Sequence, residues 1–118
     1  MTDNHPIVVA PASGRVVVRW RGRQAANTRR ALELREASYP PVLYIPREDA
    51  DMRLFEPSAH ETTCPYKGQA SYFTLHDGDE VDANAVWSYE APKPGVAAIK
   101  GHLAFYPDRV EIVRDAKD

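Results

Sequence analysis

Ala70-Ser71-Tyr72-Phe73-Thr74-Leu75, Asp77-Gly78-Asp79 and Ala85-Val86-Trp87-Ser88-Tyr89 decide the fold class of this chain. The outer runs carry the aromatic and β-branched residues that favour strands, and the Asp-Gly between them marks a tight turn. Side chains alternate between the two faces of a strand. Trp87 and Tyr89 therefore share one face, and Val86 and Ser88 the other. Tyr72 and Thr74 alternate with Ser71, Phe73 and Leu75 in the same way. If the runs pair, Trp87, Tyr89 and the ring of Tyr72 or Phe73 come together. Rings with polar tips line ligand pockets well, and they also make ordinary cores.

The same pattern extends outward in both directions. Residues 1–13 are polar with Pro6 and Pro11 and read as an extended lead-in. Strands are expected over Arg15–Trp20, Gln24–Asn27, Val42–Ile45 and Met52–Phe55. Thr28–Ala37 has helix-forming composition, but Leu32 and Leu34 sit two apart with Glu33 and Arg35 interleaved, which favours a strand. Arg47–Asp51 is expected to make one helical turn, and Ala91–Gly95 a proline-rich loop. Leu103–Tyr106 and Arg109–Val113 are expected to close the domain as a hairpin around Pro107-Asp108. Short strands at close spacing, punctuated by ten prolines, predict a mostly β single domain over residues 1–118. Its β core is expected at about 14–113, in short antiparallel strands forming two sheets, with at most one or two short helical turns.

At 118 residues the chain is long enough for one hydrophobic core and too short for two ordinary ones. A formal charge of −2 gives no general attraction to nucleic acid or to acidic membranes. Seven arginines lie in residues 1–40 against three acids, and only Trp20 interleaves with them. This suits the solvent face of early strands better than a stacking platform for single strands. One cysteine excludes an intrachain disulfide, and nothing in Met1–Val9 resembles a secretion signal. No apolar run approaches the roughly 18 residues of a membrane helix. A cytoplasmic protein with no nucleic-acid or membrane partner is the expectation.

Chemistry concentrates in Thr62-Thr63-Cys64-Pro65-Tyr66-Lys67-Gly68, read as a tight turn. Cys64 is either a nucleophile or redox thiol assisted by Lys67, or a small residue filling space. Lys67 either holds an anionic group or acts as a base, or is an exposed turn lysine. Tyr66 supplies a covering ring, and Gly68 a backbone that needs positive φ or close approach. Arg47 and Asp49, beside Pro46, present a guanidinium and a carboxylate to a ligand or else to each other. The histidines are scattered and the cysteine is single, so no metal site and no cofactor are expected.

Three blocks together resemble the domain-of-unknown-function 427 family. They are Tyr44-Ile45-Pro46-Arg47-Glu48-Asp49, Thr63-Cys64-Pro65-Tyr66-Lys67-Gly68-Gln69-Ala70-Ser71-Tyr72 and Trp87-Ser88-Tyr89-Glu90-Ala91-Pro92. The resemblance runs from about Arg15 to Val113. It implies a small bacterial or fungal protein with a β-tent-like architecture. A nucleotidyltransferase label also attaches to the family. Nucleotidyl transfer normally needs carboxylates holding a divalent metal near a phosphate, and Asp49 and Asp51 are the close pair in the matching region.

Three functions follow as expectations. The first is a module binding a small ligand, with anionic and cyclic ligands considered. Its walls would be Trp87, Tyr89 and Tyr66, its polar anchors Lys67 and Arg47 with Asp49 beside them, and Cys64 part of its floor. The second is an enzyme using Cys64, with Lys67 lowering its pKa and the turn backbone stabilising an oxyanion. The third is a purely structural motif bracing the turn.

Overall fold

The computed structural model describes residues 6–116. Its ten strands are β1 (Ile7–Pro11), β2 (Val16–Trp20), β3 (Arg23–Thr28), β4 (Leu32–Glu36), β5 (Val42–Tyr44), β6 (Phe55–Cys64), β7 (Gly68–Asp77), β8 (Glu80–Tyr89), β9 (Ala104–Phe105) and β10 (Glu111–Arg114). They form three antiparallel sheets, not the two expected: β1-β4-β5, β10-β2-β3 and β6-β7-β8-β9. The helical content is three short 3-10 segments, Arg47–Asp49, Met52–Leu54 and Pro94–Ile99, one more than expected.

Local chemistry explains the tightest turns. Gly78-Asp79 closes β7 onto β8, with Gly78 at φ 61, as a two-residue hairpin loop requires. Arg21-Gly22 closes β2 onto β3 with φ of 51 and 82. β4 is a strand, as the Leu32 and Leu34 spacing predicts. Met52–Leu54 is not a strand, because the Asp51 side chain accepts from the Arg53 N–H and winds the segment into a helical turn. The closing hairpin does not form either. β9 pairs with β8, whereas β10 crosses to pair with β2. Of the expected lead-in, residues 7–11 are strand β1 and residues 1–5 lie outside the described residues.

The four-stranded sheet feeds two cores by simple alternation. Phe73, Leu75 and Val86 on one face join Val16, Val18 and Trp20 of β2. Ala70, Tyr72 and Tyr89 on the other face join Leu34 of β4 and Tyr44 of β5. Ile45 and Leu103 exchange both backbone hydrogen bonds at 2.8 Å, stitching the β1-β4-β5 side to the segment leading into β9. This stitch brings Tyr44 and Tyr106 to the same side of Trp87's sheet, where the candidate site lies.

Candidate functional site

Cys64 ends β6 and pairs with Gly68, which opens β7, so the turn proper is Pro65-Tyr66-Lys67. Gly68 has φ 115, a conformation that L side chains rarely adopt. A Cβ there would also meet the Ala91 carbonyl oxygen at 3.4 Å. The turn is pinned from the same side by the Lys93 N–H, which donates to the Lys67 carbonyl at 2.9 Å. So held, Lys67 folds inward. It is 9% exposed, and its Nζ donates to Glu36 Oε1 at 2.5 Å.

Above this ion pair lies a cluster of rings. Tyr72 faces Trp87 across the β7–β8 ladder, and Ala70 faces Tyr89. Trp87 packs edge-on to Tyr44, with centroids 6.5 Å apart, and against Tyr106 at 4.7 Å. The Trp87 indole N–H donates to the Tyr44 hydroxyl oxygen at 3.2 Å. The Tyr106 hydroxyl donates to that of Tyr72 at 3.5 Å, and Tyr72 shares a 2.9 Å hydrogen bond with Thr62.

Two adjoining cavities open among these groups. The smaller, about 190 Å³, is lined by Lys67, Tyr44, Tyr72, Tyr89 and Tyr106 among others. The larger, about 750 Å³, is walled by Pro40, Pro41, Leu43, Cys64, Tyr66 and Phe105 among others. Glu36, Val42 and Trp87 belong to both. Such a volume and a mainly apolar and aromatic lining suit a small organic molecule. A third cavity of about 450 Å³, lined in part by Arg23, Asp51, Arg53 and Asp77, is a different environment. Its charges are matched internally: Arg53 pairs with Asp51 at 2.9 Å, and Arg23 with Asp77 and with Glu80 at 2.7 Å.

The site's electrostatics follow from burial. Desolvation works against the Lys67 ammonium, but the Glu36 hydrogen bond and the neighbouring Cys64 outweigh it, and its pKa is raised. Burial pushes the Tyr44 phenol up to about 12, and burial followed by the Tyr72 hydrogen bond pushes Tyr106 up to about 12. Burial also raises Tyr89, with Cys64 the next contributor. All three phenols are therefore protonated at neutral pH.

The structure brings Cys64, Tyr66, Lys67, Trp87 and Tyr89 to this one place. It does not bring Arg47 or Asp49. Arg47 lies against the opposite face of the sheet, with its guanidinium 5.3 Å from the Phe73 ring centroid and bonded to Glu90 at 2.5 Å and Ser88 at 3.3 Å. Asp49 accepts from the Thr28 hydroxyl at 2.6 Å and from Arg30 at 3.3 Å. Among the described residues, no three His, Cys, Asp or Glu side chains are grouped to hold a metal ion. No helix among them is long and apolar enough to cross a membrane.

Glu36, Tyr44 and Tyr106 complete the site and were not singled out from sequence. Glu36 carried a signal nonetheless. It continues the inward phase of Leu32 and Leu34 on β4, where a carboxylate calls for a partner.

A family model described as a domain of unknown function, DUF427, matches residues 8–116. No curated protein matches the chain. The chain belongs to the DUF427 family.

Proposed function

From membership in a family without assigned chemistry, we propose that this chain is a binding module for a small organic ligand, held in the paired cavities around Trp87. One observation carries the reading: a 750 Å³ cavity with apolar walls shares Trp87 with a 190 Å³ cavity rich in phenols. A roomy apolar compartment next to a small polar one is how binding sites combine affinity with orientation. Trp87 forms the wall between them, Tyr66 the rim, Lys67 and Tyr89 the polar end, and Cys64 part of the floor.

A thermal-shift screen of small metabolites tests this. A ligand present at about 100 times its Kd adds about 2.7 kcal/mol to stability. Hits should raise the Tm of the native chain and not that of Trp87→Ala. A screen without hits, or hits that shift both proteins equally, goes against the proposal.

A second reading draws on Cys64, which is half-buried, lines the larger cavity and neighbours Lys67 and Tyr89. In that reading Cys64 is the nucleophile or redox thiol of an enzyme. Cys64→Ser separates the two: ligand affinity survives under binding alone, and turnover disappears under catalysis.

A further inference from the structure

The smaller cavity contains hydrogen-bond donors whose protons have no acceptor among the described residues. Tyr44 is 1% exposed, and its oxygen receives the Trp87 indole N–H. An indole N–H only donates, so Tyr44 is the acceptor in that bond and its own proton remains available. Tyr89 lines the same cavity, and its hydroxyl, which bonds to no described residue, is not fully enclosed but reaches the cavity's open space. The other two phenols are engaged, Tyr106 with Tyr72 and Tyr72 with Thr62. Neither proton is taken up by a described residue, so both hydroxyls can donate to water or to an acceptor on a molecule that fills the cavity.

The charge at the site narrows what that acceptor is. The Lys67 ammonium is matched by Glu36. An incoming carboxylate would meet Glu36 beside a cation already neutralised. A neutral acceptor meets no such opposition.

Resting on the binding reading above, we infer that the smaller cavity takes the carbonyl oxygen of a neutral, mainly apolar ketone or amide. The Tyr44 and Tyr89 hydroxyls donate to that oxygen, and the apolar body lies against Trp87 in the larger cavity. Both phenols keep their protons well past physiological pH, Tyr44 up to about 12, so both remain donors.

Three probes of similar size test the inference: acetophenone, ethylbenzene and benzoate. Each is titrated into the full chain with amide NMR as readout, and the same spectra confirm that the variants are folded. Acetophenone should bind about tenfold tighter than ethylbenzene. Its carbonyl stretch should fall to lower frequency on binding. Tyr89→Phe and Tyr44→Phe should each weaken acetophenone up to about tenfold and leave ethylbenzene unchanged.

Ethylbenzene binding as tightly as acetophenone would overturn the carbonyl inference while leaving the binding module standing. Acetophenone affinity unchanged in both variants would do the same. Benzoate binding tighter than acetophenone would overturn the choice of a neutral ligand. If none of the probes bound at millimolar concentration, the carbonyl inference would fall, and the binding reading would be decided by the thermal-shift screen alone.

Discussion

Lys67, in the turn between β6 and β7, holds Glu36 of β4 at 2.5 Å, tying two different sheets together beneath the ring cluster. Both side chains are nearly enclosed, 11% and 16% exposed. Removing Glu36 takes from the enclosed Lys67 ammonium its carboxylate, and removing Lys67 takes from Glu36 a charge-assisted hydrogen bond. Lys67→Met or Glu36→Leu should each destabilise the chain by about 3 kcal/mol, whereas the double substitution should recover most of that loss. Urea denaturation of the three variants decides it. Additive losses in the double variant would show that the pair is not coupled.

Stability should fall at both ends of the pH scale for different reasons. The folded chain raises the pKa of Tyr44, Tyr89 and Lys67. Their contribution is complete below the unfolded pKa of about 10 and is lost as pH rises through the folded values. Asp49 and Glu33 are shifted the other way, Asp49 chiefly by the Thr28 hydrogen bond and Glu33 chiefly by that of Arg114. Their contribution is present above about 4 and is lost as pH falls through the folded values. Urea midpoints across pH should therefore form a plateau, and Tyr44→Phe with Tyr89→Phe should flatten its alkaline edge. An alkaline edge unchanged in that double variant would contradict the assignment.

Much of this was legible from short-range pattern. The Asp77-Gly78 turn and the aromatic alternation on either side predicted β7, β8 and the shared face of Trp87 and Tyr89. β6 was invisible for most of its length because it is an edge strand with Pro57 inside it and polar, exposed residues over most of Glu56–Thr63, so no hydrophobic alternation marks it. The partners of Lys67 and Trp87 were hidden for another reason. Glu36 lies 31 residues from Lys67, and Tyr44 lies 43 from Trp87. Only the stacking of separate sheets joins them, and local periodicity carries no information about that. Arg47 shows the converse, since a suggestive position in sequence fell on the far face of the sheet.

A side chain at Gly68 should be strained by its backbone. Its φ of 115 opposes alanine, although a Cβ there would make only an ordinary contact with the Ala91 carbonyl oxygen at 3.4 Å. Gly68→Ala should lose about 1–3 kcal/mol. Gly95→Ala serves as the control, because a Cβ there meets nothing within 4 Å, and it should stay within about 0.5 kcal/mol of the parent. Equal effects in thermal melts would remove the special role of the turn.

Cys64 is half-buried on the wall of the larger cavity, so a small neutral maleimide should label it in the native protein. A ligand seated in the cavity at roughly ten times its Kd should slow that labelling about tenfold. Intact-mass kinetics give the answer. Labelling that begins only in denaturant, or that a ligand leaves unaffected, would place the thiol outside the binding space.

The central claim is that ligands bind around Trp87, and the chain's two indole N–H resonances test it most directly. Trp20 is fully buried in the other core, whereas Trp87 is only partly buried and lines both cavities. With the Trp87 resonance assigned from Trp87→Phe, titration of any compound that raises the Tm should move the Trp87 indole signal and leave that of Trp20 in place. A stabilising compound that leaves the Trp87 signal unmoved, or that moves only Trp20, would contradict the account.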